Sequence, residues 1–334
     1  MTIDLRLEWP FRYQSEGFFL PYLSIFCCIC SSGYKNIMKT SKSSIAILGT
    51  GKVGTAVGYL LRSAGHEIVA VASRSDESIK RGVEYTGGKA YKSYPDAAAK
   101  AGCIIITTSD DAIKSVCDEI SKSGLIGQGK KVIHMSGAGG LDLLESARKS
   151  GAHIASIHPI QTFANVNSAI ESIPGSTFGI TADEEIKDWA VEFVNDLGGI
   201  PFFVTEADKP LYHAAACMAS NYFVTLMDIV VDVYQTLGLE RNEAIQAFWP
   251  LVKGTVINIE NHGTVDALTG PIARGDIGTV EKHLRAFKTR LPELFPIYQQ
   301  LGTLTVDIGH RKKTVSDERA RELKLLLSGG LKDE

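Results

Sequence analysis

Residues 45–48 are Ile-Ala-Ile-Leu, and they run directly into Gly49-Thr50-Gly51-Lys52-Val53-Gly54. Few features restrict a fold more. A buried strand ends in a G-x-G-x-x-G turn and opens a helix carrying Val57, Leu60 and Leu61 on one side. The first glycine permits the tight turn. The second lets the backbone approach a bound group, and the third lets helix and strand pack closely. A second strand follows at 67–72. The unit predicts a βαβ fold whose helix, beginning near Val53, presents its positive N-terminus to the pyrophosphate of a dinucleotide.

The end of the second strand bears on which dinucleotide. An NAD site places an acidic residue there, about 20 residues past the glycines, to hold the ribose 2′-hydroxyl. This chain has Ala72-Ser73-Arg74-Ser75 instead. Arg74 can fork onto a phosphate, and the two serines can donate to it. These residues favour NADP over NAD. The competing reading leaves Arg74 solvated and gives the acidic role to Asp76, two residues late.

At 334 residues the chain accommodates two domains, and 44% hydrophobic with 22% charged residues is a globular composition. A net charge of -3 argues against a nucleic-acid or bulk anionic-membrane partner. Cys103, Cys117 and Cys217 are scattered singly, without metal-ligand spacing, and read as reduced thiols of a cytoplasmic protein. No metal site is expected.

Residues 1–43 look foreign to the rest. Their apolar run at 18–29 is interrupted by Pro21 and is short for a membrane span, and the acidic lead-in does not suit a signal peptide. The favoured account is a spurious leader ahead of a second start at Met38. The alternatives are a weak membrane anchor or an interaction arm. Cys27-Cys28-x-Cys30 lacks a nearby fourth ligand.

From Ser44 onward, strands alternate with helices, the pattern of a parallel sheet with crossovers. Strands are predicted at 45–48, 68–72, near 90, at 103–107, 131–135, 153–158, 177–180 and 201–204. A helix at 182–197 is predicted to have a capping box, Thr181-x-x-Glu184, and a Gly198-Gly199 stop. The nucleotide domain thus spans 44–205. The remainder, 206–334, reads as all-helical, with helices at 208–237, 241–260 (kinked at Pro250), 277–301 and 316–327. The first is apolar all round, which predicts burial among other helices or in a dimer.

Three loops leave the carboxyl ends of strands, where ligands bind in this architecture. Thr108 and Ser109 lie on a loop suited to the ribose and nicotinamide side, and Asp111 caps the next helix or joins them. Ser136 and Gly137 open a small-residue loop that permits close approach. His158 follows the sixth strand and either touches substrate or braces its turn. On the long helix, Lys209, His213 and Ser220 fall within about 40° on one face at 100° per residue, and Asn221 lies about 80° from His213. His213 or Lys209 could protonate an alkoxide as hydride arrives, and Asn221 or Ser220 could orient the substrate. The structural alternative for each is a helix–helix hydrogen bond. Tyr212 and Cys217 stand nearby without an assigned role. Finally, Thr269 and Arg274 sit in Leu268-Thr269-Gly270-Pro271-Ile272-Ala273-Arg274-Gly275-Asp276, where Asp276 looks like an N-cap. Arg274 and Thr269 could bind a carboxylate or phosphate, or the turn could be a rigid connector.

Taken together, the glycine loop, Ser136-Gly137, His158-Pro159, the His213 to Asn221 stretch and the Leu268 to Asp276 turn resemble the Rossmann-like oxidoreductases with a C-terminal domain of unknown function 2520. The resemblance covers nearly all of 44–330. It implies an α/β fold, with an N-terminal Rossmann domain followed by an all-helical domain resembling the 6-phosphogluconate dehydrogenase C-terminal domain. The architecture is also similar to pyrroline-5-carboxylate reductase and, in its N-terminal half, to deazaflavin-dependent NADP oxidoreductases. The resemblance implies a homodimer formed through the C-terminal helices and an active site in the interdomain cleft. The chain departs from the Lys-x-x-x-Asn pair of the hydroxyacid dehydrogenase relatives, because His213 stands four residues after Lys209. The expected activity is NADP-dependent hydride transfer to or from a small anionic carbonyl/alcohol or imine/amine. The alternatives are a non-catalytic dinucleotide sensor and hydride exchange with a deazaflavin.

Overall fold

The computed structural model describes residues 42–329. The expectations about the leader, including Cys27, Cys28, Cys30 and Met38, lie outside the described residues.

Eight strands form one sheet: β1 (Ser44–Leu48), β2 (Glu67–Ala72), β3 (Lys89–Tyr91), β4 (Cys103–Ile106), β5 (Lys131–His134), β6 (His153–Pro159), β7 (Thr177–Ala182) and β8 (Ile200–Phe203). Their spatial order is β3-β2-β1-β4-β5-β6-β7-β8. The intervening helices are α1 (Lys52–Ser63), α2 (Asp76–Thr86), α3 (Tyr94–Ala99), α4 (Asp110–Lys122), α5 (Glu145–Lys149), α6 (Val166–Ser172) and α7 (Lys187–Asp196).

Strand periodicity decides the two faces. Ile45 and Ile47 face a core shared with Val57 and Leu61 of α1, Ala169 of α6 and Phe193 of α7. Ala46 and Leu48 face the other way, onto Ala97 of α3, Ile113 and Ile120 of α4, and Ala147 of α5. Both faces are covered, as a parallel sheet requires.

Three details differ from the sequence expectation. β7 runs antiparallel to β6, because the 160–176 connection returns the chain to the same end of the sheet, where Ile160 N–H donates to the Thr177 carbonyl at 2.8 Å. The helix at 182–197 opens instead with a 3₁₀ turn at Glu184–Ile186. No Thr181 capping box forms, since the Thr181 hydroxyl donates to the Val204 carbonyl.

The C-terminal half is helical: α8 (Lys209–Ala219), α9 (Asn221–Thr236), α10 (Arg241–Asp266), α11 (Ile277–Arg290), α12 (Phe295–Arg311) and α13 (Asp317–Leu327). The predicted 208–237 helix divides at Ser220, where φ is -116° and ψ is -71°. The predicted 277–301 helix divides between Leu291 and Leu294, where Pro292 lacks an N–H and restricts the residue before it. In α10 the helix passes through Pro250, and the non-helical backbone falls at Gly263. One apolar cluster joins Val280 and Leu284 of α11, Val306 of α12, and Leu323 and Leu327 of α13. By contrast, the 209–236 region has mean hydropathy 1.5 with only 6% of that window buried within one chain, so its expected apolar burial is not met inside the chain.

Candidate active site

The glycine loop is braced on both flanks. Gly49 N–H donates to the Ala72 carbonyl, and the Thr107 hydroxyl donates to the Gly49 carbonyl at 2.7 Å. Gly49 has φ +105°, which glycine adopts without strain. A Cβ on Gly54 would lie 2.2 Å from both the Gly49 carbonyl oxygen and Thr107 Oγ1, so the third glycine is needed for close packing. A Cβ on Gly51 would meet nothing within 4 Å. The open space there adjoins the N-terminus of α1, whose Gly51 cap supplies no side-chain hydrogen bond. The Lys52 and Val53 amides begin that helix. This is a cradle for a phosphate, and the residues fit a dinucleotide.

Thr50 is fully buried, and its hydroxyl donates to the Ser78 carbonyl at 2.6 Å, so only its backbone borders the loop. Arg81 donates to the Thr50 carbonyl at 2.8 Å, tying α2 to the loop. At the end of β2, Ser73 is half-buried and Arg74 is exposed, free to meet an anion. Ser75 caps α2 by accepting from Ser78 N–H. Asp76 is exposed in the first turn of α2 and pairs with Lys92.

β1, β4, β5 and β6 are mutually parallel, so the loops after them share one edge with the glycine loop. Thr108 and Ser109 follow β4, and Ser109 caps α4 without a side-chain bond. Lys52 Nζ donates to the Phe163 carbonyl at 3.3 Å, linking the glycine loop to the segment beyond β6. Ser136 is buried beneath its loop: its hydroxyl donates to Asp110 Oδ2 at 2.7 Å and accepts from Gly139 N–H. His134 completes this brace. It accepts from Ser136 N–H and bonds the Gly140 carbonyl, and burial lowers its pKa to about 4. Glu206, which sequence reasoning missed, accepts from Leu141 N–H at 2.9 Å. Nothing in its local sequence marks that long-range contact.

Gly137 then meets two histidines. A Cβ there would lie 2.6 Å from His213 Cδ2 and 2.7 Å from His158 Nε2. The imidazole centroids are 6.0 Å apart. His158, His213, Ser220 and Asn221 line one cleft of about 310 Å³ with Gln161 and Cys217. The Cys217 thiol lies 3.8 Å from His213 Nδ1. Burial and the neighbouring His213 and Lys209 lower the His158 pKa to about 4, so its ring is neutral at pH 7. Its Nδ1 meets the Tyr212 hydroxyl at 2.8 Å.

Lys209 does not line this cleft. It is 2% exposed, its ammonium donates to Ser156 Oγ at 2.8 Å, and burial lowers its pKa. Thr269 and Arg274 are exposed and do not line it either. Their turn packs on α12, and Asp276 caps α11 by accepting from Thr279 N–H at 3.0 Å.

No curated protein matches the sequence. Among solved structures, a Thermotoga maritima protein superposes with TM-score 0.65 at 26% identity, covering 80% of this chain and 99% of that one. Plasmodium falciparum pyrroline carboxylate reductase, solved with NADP bound, gives TM-score 0.53 at 16% identity, covering 85% and 98%. Aspergillus terreus reductive aminase, in complex with NADPH and ethyl-5-oxohexanoate, gives 0.53 at 16% identity, covering 86% and 93%. At such identities the enzyme likenesses establish the fold. Residues 31–159 match the Rossmann-like domain family and residues 176–305 match the domain of unknown function DUF2520, so this chain is a Rossmann-like protein with a DUF2520 C-terminal half.

Proposed function

We propose that this protein is an NADP-dependent oxidoreductase acting on a small anionic substrate held between the sheet edge and α8. The observation that carries this reading is the pairing of two imidazoles, His158 and His213, across Gly137 on the sheet edge that also bears the glycine loop. Reduced NADP, when bound, supplies the hydride. The Gly51 to Gly54 amides hold its pyrophosphate, Thr108, Ser109 and Gly137 border its ribose and nicotinamide side, and Arg74 with Ser73 meets its 2′-phosphate. As hydride reaches the substrate carbon, the bonding pair shifts to oxygen or nitrogen, and His213 gives that atom a proton. His158, Ser220 and Asn221 orient the substrate. Within one chain, Lys209 acts beneath the site, and Thr269 and Arg274 have no contact with it.

The same proposal includes a second copy of this chain. Leu211, Met218, Tyr222, Val224 and Leu251 are 63–75% exposed, far more apolar surface than scattered single residues provide. These helices are better suited to a protein partner than to lipid: the 209–236 span is broken at Ser220 and carries Lys209, His213, Asp228 and Asp232. A homodimer fits these features, and light scattering of the full chain tests it.

The test of function is fluorescence titration with NADPH and NADH, followed by NADPH consumption with 2-oxo acids, aldehydes and cyclic imines. Saturable NADPH binding with turnover of one class supports the reading, and His213→Ala should then lower kcat about 100-fold or more. Binding without turnover of any class would favour a dinucleotide sensor. A requirement for added deazaflavin would replace the small substrate with that carrier.

A further inference from the structure

β6 and α8 are stitched by two rungs. Ser156 and His158 are two residues apart on β6 and share a face. Lys209 and Tyr212 are three apart on α8 and share a face. Lys209 bonds Ser156, and the Tyr212 hydroxyl meets His158 Nδ1, each at 2.8 Å. The second rung ends in the cleft, and two glycines make room for it. A Cβ on Gly179 would lie 2.3 Å from the Tyr212 hydroxyl, and one on Gly137 would lie 2.7 Å from His158 Nε2. Neither glycine has a positive φ, so space rather than backbone conformation demands them.

The Tyr212 phenol has two acceptors within reach, His158 Nδ1 at 2.8 Å and the His158 carbonyl at 3.5 Å. The shorter contact is the stronger hydrogen bond. Among the described residues, no group hydrogen-bonds His158 Nε2, which faces Gly137 and His213.

We propose that Tyr212 is a positioning residue: its hydroxyl donates to His158 Nδ1, which places the ring proton on Nε2 and presents a neutral N–H donor to a carbonyl or carboxylate oxygen of the substrate. This inference rests on the oxidoreductase reading for its substrate, but not for its geometry. Burial raises the Tyr212 pKa to about 12, so the phenol keeps its proton throughout the neutral range. The charged and titratable groups around His158 are His213 and Lys209 on α8, Asp110 on α4 and His134 on β5. His213 and Lys209 add to burial in keeping the ring neutral, and Asp110 opposes them. A fixed N–H donor suits a carbonyl oxygen or a carboxylate. It opposes a protonated iminium placed at that ring, which brings its own N–H where an acceptor is required, and no carboxylate among the described residues lines the cleft. At His158 the donor therefore selects an oxygen acceptor, either a reacting carbonyl or the carboxylate of an anionic substrate.

The experiment is two-bond proton–nitrogen correlation spectroscopy of the full chain labelled with nitrogen-15 histidine, across about pH 5.5 to 8, the range in which an ordinary imidazole titrates. His158 is identified by the signal lost in His158→Gln. The expected result is a neutral Nε2–H ring throughout, with Tyr212→Phe shifting it to a tautomer mixture or to Nδ1–H. A wild-type ring protonated at Nδ1, or an unchanged pattern in Tyr212→Phe, would overturn the proposal. If Tyr212→Phe does not fold, the wild-type tautomer alone decides. In turnover assays, Tyr212→Phe should lower kcat about 10-fold with little change in the KM for NADPH. Loss of the oxidoreductase reading would show separately, as absent NADPH binding with the tautomer pattern intact.

Discussion

The Lys209 ammonium lies 2.8 Å from the Ser156 hydroxyl, inside the protein rather than in the cleft its helix helps to line. Burial disfavours its charged form and lowers its pKa below the ordinary 10.5, with Glu206 offsetting part of the effect. Between the folded and unfolded pKa values, the unfolded state binds more protons, so stability rises with pH through that window. Lys209→Met should remove this alkaline gain. Urea unfolding at pH 7.5 and 9.5 would show a larger increase in wild type than in the variant. Equal increases would mean that the ammonium is solvated. The variant should also retain dinucleotide affinity, because among the described residues the hydrogen bond of Lys209 goes to Ser156 and none joins it to the glycine loop.

Arg74 is the exposed cation at the end of β2. Arg74→Ala should weaken NADPH binding about 10–100-fold, the worth of one or two charge-assisted hydrogen bonds, and leave NADH unchanged. Paired titrations check it. An equal loss for both would place Arg74 on the shared part of the dinucleotide.

The glycine loop was legible because its spacing is local: strand, turn and helix are contiguous from Ile45 to Leu61. The cleft was half legible. His213 and Ser220 share a helix face, as 100° per residue predicts, and both line it. Lys209 shares that face too, but angular position carries no information about depth, and only the approach of Ser156 from β6 shows that Lys209 is buried. Asn221 reached the cleft by another route, since the break at Ser220 makes it the first residue of α9. No proline or glycine marks that break. Thr50 and Ser136 sit in the loops expected to approach a ligand, yet their hydroxyls turn inward to Ser78 and Asp110. Such bonds join residues far apart in sequence and leave no local pattern.

His134 gives the fold an acid sensitivity. It is fully buried, and burial lowers its pKa to about 4, below the ordinary 6.5. As pH falls from 6.5 toward 4, the unfolded state takes up a proton that the folded state refuses, so stability declines. The loss from this residue should be about 2 kcal/mol by pH 4.5. Chemical denaturation at pH 7 and 4.5 measures it, and His134→Gln should show a smaller drop between the two. An identical drop would assign the acid sensitivity to other groups.

Two glycines should separate cofactor binding from turnover. Gly51 has open space where a Cβ would go, so Gly51→Ala should leave stability within about 0.5 kcal/mol. Its methyl would nevertheless stand where the pyrophosphate approaches the backbone, and NADPH affinity should fall about 10-fold or more. Gly137→Ala acts at the other end. Its methyl would press on His213 and His158 at 2.6 and 2.7 Å, and the rings must shift by several tenths of an ångström or rotate away. The backbone φ is not positive, so the residue itself tolerates alanine and the effect is transmitted through the imidazoles. Turnover should fall about 100-fold, with a much smaller change in NADPH affinity, because misplacement of catalytic groups by about 1 Å is enough for such a loss. Binding and steady-state assays on both variants decide it: if Gly137→Ala loses only affinity, the two histidines belong to the cofactor site rather than to the reacting one.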